Sequence, residues 1–98
     1  MEIDKALLEC LKDKPNYRSA RTMIKSLMES YGLSGEDIVR YFNASLNRLA
    51  EEHLDNQKSY EALAMLSDVD FRLASGCNPD IQLDAFLAKL IALNQRSG

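Results

Sequence analysis

The residues able to do chemistry are few in this chain. Cys10 and Cys77, together with the single histidine His53, are its only thiol and imidazole side chains. A structural zinc site takes about four thiolate or imidazole ligands, and the two cysteines stand outside any C-x-x-C pair, so the chain alone does not build one. With no secretion signal, both read as reduced, packed thiols rather than as a disulfide. Glu51, Glu52, His53 and Asp55 include metal-ligand types. Adjacent residues on a helix point in different directions, however, and the spacing is neither H-E-x-x-H nor a calcium loop. No metal or other cofactor is expected. The phosphate cradle G-x-x-x-x-G-K-[ST], the dinucleotide motif G-x-G-x-x-G and the nucleophile elbow do not occur in the sequence. Catalysis, and nucleotide hydrolysis in particular, is therefore not expected of these residues.

Charge offers one further possibility. Lys12, Lys14, Arg18, Arg21 and Lys25 form the densest basic segment, and Arg18, Arg21 and Lys25 would share the outer side of one helix. Nucleic-acid-binding domains usually carry a net basic surface and interleave exposed aromatics with their cations. This chain has a formal charge of −3 and lacks that interleaving, so the segment reads as a solvated face.

These residues must be positioned by helices. Leu and Ala are abundant while Val, Ile and Thr are few, a balance that favours helix because unbranched side chains lose little freedom there. No stretch alternates cleanly enough for a strand. The composition, 46% hydrophobic and 28% charged over 98 residues, is that of one ordinary globular domain spanning residues 1–98. No apolar run approaches the roughly 20 residues of a membrane span. The N-terminus, MEIDKALLEC, has neither the basic start nor the apolar stretch of a signal peptide. An intracellular protein with no membrane contact follows as the expectation.

Five helices in a compact all-α bundle are predicted. The first runs from Ile3 to Lys12 and stops at Lys14-Pro15-Asn16. The second runs from Arg18 to Tyr31, with Ala20, Ile24, Leu27, Met28 and Tyr31 inward and Gly32 as a left-handed stop. Ser34 caps the third, with Glu36 and Asp37 in its first turn and Ile38, Val39, Phe42, Leu46 and Leu49 buried. The polar stretch from Glu51 to Gln57 is a predicted connection. The fourth helix runs from Lys58 to Ser75. Asn78 caps the fifth, with Pro79 at its first position and Asp80 facing the dipole. It continues to Asn94, and Gln95 to Gly98 are expected to fray.

Two patterns stand out on a projection at 100° per residue. In the fourth helix Leu63, Leu66, Leu73 and Ala74 cluster on one side, flanked by Tyr60 and Phe71, and Asp70 falls among them as the one carboxylate aimed at the core. A buried carboxylate needs a partner, and a structural tie to an Arg or a helix terminus is the expectation. The fifth helix has two apolar faces. Leu83, Phe86, Leu87, Leu90 and Leu93 make a bulky one, while Ile81, Ala85, Ala88 and Ala92 make a stripe of mostly small side chains that lets another helix approach closely. That second stripe is either filled by the chain's own domain or packed on a neighbouring subunit.

The segment from Asp68 to Leu90, with Asp70-Phe71-Arg72, Gly76, Asn78 and Ile81-Gln82-Leu83 in that order, resembles the end of archaeal and eukaryotic replication factor C small subunits. Upstream, Ala20-Arg21 and the run Met28 to Ile38, containing Gly32-Leu33-Ser34-Gly35-Glu36-Asp37, resemble the same family. The likeness covers nearly the whole chain and departs from the family at Asp13 to Tyr17, where Pro-Asn replaces a short glycine-containing turn.

The resemblance implies a C-terminal collar domain, which holds clamp-loader subunits in a pentameric ring. The family's two AAA+ ATPase modules, which grip the sliding clamp and primer-template DNA, lie outside these residues, Met1 marking a collar domain separate from them. It further implies small and large clamp-loader subunits as partners, self-association, and contact with clamp and DNA only through those modules. Localisation would be cytoplasmic in an archaeon and nuclear in a eukaryote. Asp70, Phe71, Arg72, Asn78 and Gln82 match the family pattern and are assigned to fold and subunit packing. Arg21, in the matching Ala-Arg segment, is the expected partner of Asp70. The competing readings are a helical nucleic-acid-binding domain and an adaptor that accepts a peptide in a groove.

Overall fold

Helix boundaries fall where short polar side chains satisfy the backbone groups that a helix end leaves unpaired. The computed structural model describes residues 2–97 and contains α1 (Ile3–Leu11), α2 (Tyr17–Tyr31), α3 (Gly35–His53), α4 (Asn56–Ala74) and α5 (Pro79–Gln95). Asn16 caps α2 by accepting from the Ser19 amide at 3.0 Å. Ser34 caps α3 in a reciprocal box: its hydroxyl accepts from the Asp37 amide at 3.1 Å, and the Asp37 carboxylate accepts from the Ser34 amide at 2.9 Å. Asn78 caps α5 through the Ile81 amide at 3.1 Å, with Pro79 in the first turn.

The helix ends also follow from local chemistry. Gly32 takes a left-handed conformation, φ 63°, after α2. After α4 the Gly76 amide donates to the Leu73 carbonyl and the Cys77 amide to the Arg72 carbonyl, both at 3.0 Å. This paired turn requires the positive φ of 90° that Gly76 adopts.

Two boundaries differ from the sequence expectation. The polar stretch from Glu51 to Gln57, predicted to be a connection, is helical through His53 and again from Asn56, and only Leu54 and Asp55 separate α3 from α4. Asp55 is the cap of α4, accepting from the Lys58 amide at 2.8 Å, and Leu54 is buried, so a two-residue link suffices. The tail expected to fray is held at its start. Arg96 forks onto Glu61 at 3.0 and 2.5 Å, and Lys58 Nζ donates to the Arg96 carbonyl at 2.6 Å. Met1 and Gly98 lie outside the described residues.

The helices stack in three layers. α1 and α2 pack together on one side, α3 and α5 lie in the middle, and α4 covers the other side, touching α3 and α5 but neither α1 nor α2 among the described residues. α5 packs on all four other helices. One buried cluster draws side chains from every helix. At its centre Phe42 of α3 stacks on Phe86 of α5, with ring centroids 5.3 Å apart. The Cα radius of gyration, 12.4 Å, is close to the about 13 Å of a folded domain this long.

The faces predicted for α3 and α5 are the buried ones. In α2, Ala20, Ile24 and Leu27 are buried and Met28 half-buried, but Tyr31 is 65% exposed at the helix end. Cys10 sits in the core, where burial pushes its thiol up to about 12. Cys77 is exposed on the α4–α5 turn rather than packed, and both thiols are free. Gly35 is buried at the start of α3, where a Cβ would fall 2.9 Å from Pro79 Cβ and 3.4 Å from Leu73 Cδ1. Glycine here lets three helix ends meet.

Candidate subunit interface

The central helix α5 divides its two apolar stripes between inside and outside. Leu83, Phe86, Leu87, Leu90 and Leu93 are buried. Of the second stripe, Ile81 is 64% exposed, Ala88 and Ala92 are exposed, and Ala85 is half-buried. The chain's own domain therefore leaves that stripe largely open.

The neighbouring helix α4 corrects the sequence reading. Its buried residues are Ala62, Leu66, Val69 and Leu73, a face rotated by roughly 60° from the predicted one at about 100° per residue. Asp70 and Ala74, both expected inside, are exposed, and Leu63 is half-buried. The physical reason is the absence of a clean polar side: Tyr60, Leu63, Ala64, Met65 and Phe71 distribute apolar surface around the helix, so pattern alone does not fix its orientation. Packing does, because fully buried Ala62 allows close approach where a larger side chain would not fit.

Asp70 accordingly has no ion pair or hydrogen bond among the described residues. It lies on the lip of a shallow recess between α3 and α4, with Arg40 among the lining residues. Arg21 instead meets Asp84 of α5 at 3.1 Å, and the bond to that carboxylate raises the already high guanidinium pKa further. One turn away on both helices, Lys25 stands 3.5 Å from Asp80. The two pairs run antiparallel and tie α2 to α5. Lys12 pairs with Glu9 at 2.5 Å. Three of the five cations in the basic segment are therefore engaged with carboxylates of this same chain.

The remaining polar groups also serve the fold. Asp4 of α1 accepts from Ser45 at 2.6 Å and from Arg48 at 2.8 and 3.2 Å, both on α3. The Arg48 and Ser45 bonds hold its carboxyl below the usual aspartate range. Arg96 does the same for Glu61, and the Ser34 amide and hydroxyl do it for Asp37. The Asn94 side chain lies 3.4 Å from the carbonyls of Cys10 and Lys12, covering the end of α1. Of the residues carried over from the family pattern, Asn78 is a helix cap and Gln82 is half-buried, while Arg72 and Phe71 are exposed.

Sequence reasoning missed the outer line of α4. Tyr60, Ala64, Ser67, Phe71 and Ala74 recur at i, i+4, i+7, i+11 and i+14 and are all exposed, Tyr60 by 65% and Phe71 by 71%. The signal was present as the same spacing that marks the α5 stripe. Ala64 and Ala92 line one recess of about 450 Å³ between α4 and α5, so the two stripes open on the same side of the molecule. Two of the missed ties, Asp4 with Arg48 and Arg21 with Asp84, span large sequence separations and leave no local pattern.

A five-helix bundle with many of its polar groups in caps and interhelix ties, and with apolar lines open on two adjacent helices, is the class defined by this geometry. Among the described residues no three or more His, Cys, Asp or Glu side chains gather as a metal site, and no helix is long and apolar enough to cross a membrane. The family described as Replication factor C C-terminal domain matches residues 1–89, and the chain belongs to that family.

It is 37% identical over 81 residues to replication factor C small subunit 1 of Pyrobaculum islandicum, covering 83% of this chain and 24% of that protein. It is 37% identical over 83 residues to the replication factor C small subunit of Archaeoglobus fulgidus, covering 85% and 25%. The corresponding protein of Methanothermobacter thermautotrophicus is 37% identical over 76 residues, covering 76% and 24%. The chain thus spans about a quarter of the length of these curated relatives.

Proposed function

We propose that this chain is a single oligomerisation domain, the collar of a DNA-replication clamp loader, and that it carries no catalytic step itself. Its partners are other clamp-loader subunits, small and large, and further copies of itself. In such an assembly the collars hold the subunits in a ring, so that AAA+ modules elsewhere in the complex act together on the sliding clamp and primer-template DNA. The setting is the cytoplasm in an archaeon and the nucleus in a eukaryote.

The observation that carries this reading is the second stripe of α5. Ile81, Ala88 and Ala92 are exposed beside a bulky stripe that is wholly buried. Small side chains on an exposed helix permit close packing by another helix, and a repeated head-to-tail contact closes into a ring at a fixed subunit number. The contact need not be tight, because linked modules raise the effective concentration of neighbouring collars. The nucleic-acid reading is weaker on physical grounds, since carboxylates of the chain already neutralise Lys12, Arg21 and Lys25.

Mass measurement across concentration tests the proposal. The wild-type chain should self-associate, and Ala88→Arg should suppress association while helicity is retained, because residue 88 is exposed. A chain that stays monomeric at millimolar concentration overturns the reading. Calorimetric titration with ATP and magnesium should give no binding; micromolar binding would overturn the non-catalytic assignment.

A further inference from the structure

The outer seam between α4 and α5 carries charge in a regular order. Glu61 and Asp68 stand two turns apart on α4, Lys89 and Arg96 stand two turns apart on α5, and all four line the recess of about 450 Å³ between these helices. The helices run antiparallel, so Glu61 lies across from Arg96 and Asp68 across from Lys89. The first rung is shut, because Arg96 forks onto Glu61 at 3.0 and 2.5 Å. The second is open: Asp68 and Lys89 are exposed and have no ion-pair partner among the described residues. Between the rungs Ala64 and Met65 of α4 and Ala92 and Leu93 of α5 make an apolar floor, about 10 Å long at the rise of a helix.

The recess thus has an acidic wall, a basic wall and an apolar floor. Charges that repeat every seven residues beside an apolar line are the pattern by which one helix selects another in a coiled coil. We infer that the α4–α5 recess is a docking groove for an amphipathic helix of a partner protein, one that carries carboxylates on one flank and Lys or Arg on the other. A partner cation meets Asp68, a partner carboxylate meets Lys89, and an apolar side chain between them settles over Ala64 and Ala92. The shut rung at Glu61 and Arg96 holds the two walls at a fixed spacing. Charge selects here by exclusion: two basic flanks set a cation against Lys89, and two acidic flanks set a carboxylate against Asp68. Two copies of this chain do not fill the groove for one another through this same face, since both present a hollow there. The family match ends at residue 89, so most of the basic wall lies beyond it. The groove needs only one copy and does not depend on the oligomerisation reading.

Fluorescence anisotropy with three labelled, hydrocarbon-stapled helices tests the groove. Each helix carries Leu along one line, and the flanks are Lys and Glu in the mixed helix, Lys on both sides in the second and Glu on both sides in the third. Wild type should bind the mixed helix at least about tenfold more tightly than either of the others, and added salt should narrow the difference. Lys89→Glu makes both walls acidic at the open rung and should turn the preference to the all-Lys helix. Asp68→Lys makes both walls basic there and should turn it to the all-Glu helix. Ala64→Arg should abolish binding of the mixed helix by filling the floor. Residues 64, 68 and 89 are exposed, so circular dichroism should show unchanged helicity in all three variants.

Equal binding of the three helices, binding of none, or binding that Ala64→Arg leaves unchanged overturns the inference. Sedimentation velocity on Ala64→Arg separates the groove from the subunit contact. Lost helix binding with unchanged self-association supports a partner groove. If self-association is lost together with helix binding, a second copy covers the seam, and the inference is overturned while the oligomerisation reading stands.

Discussion

Phe86 and Phe71 are the same side chain on adjacent antiparallel helices, yet Phe86 is fully buried and Phe71 is 71% exposed. On α5 the bulky residues are concentrated on one line and the small ones on another, so size contrast distinguishes the core face even though the helix is apolar nearly all round. On α4 the large residues are not gathered on one line, with Leu63 and Met65 in different directions from the exposed line of Tyr60 and Phe71, and charge breaks the pattern at Asp68 and Asp70. Amphipathic patterning identifies a helix in both cases. It orients only the one whose stripes differ in size. The residues that escape burial on α4 are then the ones available for another surface.

The sharpest way to break this contrast is to truncate both rings. Phe86→Ala should cost about 3–5 kcal/mol of unfolding free energy, because it removes the Phe42 stacking partner and opens a cavity at the centre of the bundle. That is a large part of the about 5–15 kcal/mol typical of a whole domain. Phe71→Ala should stay within about 0.5 kcal/mol of wild type under monomeric conditions. Denaturant melts at low protein concentration check both, and a comparable loss in the two variants would mean that the outer face of α4 is not open.

A smaller effect is expected where α3, α4 and α5 converge. Gly35→Ala should cost about 1–3 kcal/mol, since the added methyl meets the rigid ring of Pro79 at 2.9 Å and the helix ends must separate. For a domain of this size each kcal/mol corresponds to roughly 4–8 °C in Tm, so thermal melts resolve it. Wild-type stability in the variant would show that the junction yields without strain.

The smallest effect belongs to the acid limb of stability. The folded Asp4 carboxyl lies below its ordinary 3.8 because Arg48 and Ser45 bond to the charged form. Its contribution is therefore fully present above the unfolded value and is lost as pH falls through the folded one. Asp4→Asn should flatten the decline of stability below about pH 4, and melts between neutral and acidic pH measure the slope. An unchanged slope would show that Glu61 and Asp37, which are shifted in the same direction, carry the acid sensitivity instead.

Much of this protein is determined by local sequence. Asn78-Pro79 begins α5, Ser34 with Asp37 begins α3, and Gly32 and Gly76 end the helices before them, because each rests on backbone chemistry within a few residues. The buried lines of α3 and α5 were legible for the same reason: a period of 3.6 is a local property. The family was legible in the ordered motifs around Asp70 to Leu83. Only the tertiary structure decided which carboxylates are paired. Asp84 and Asp70 look alike in sequence, but Arg21 reaches Asp84 because α2 packs on α5, whereas α4 lies in a layer that α2 does not touch. It also decided that Val69 turns inward and Asp70 outward, since a helix laid across two others is oriented by which of its sides allows the closest approach, and that depends on the shapes of α3 and α5 as much as on α4 itself.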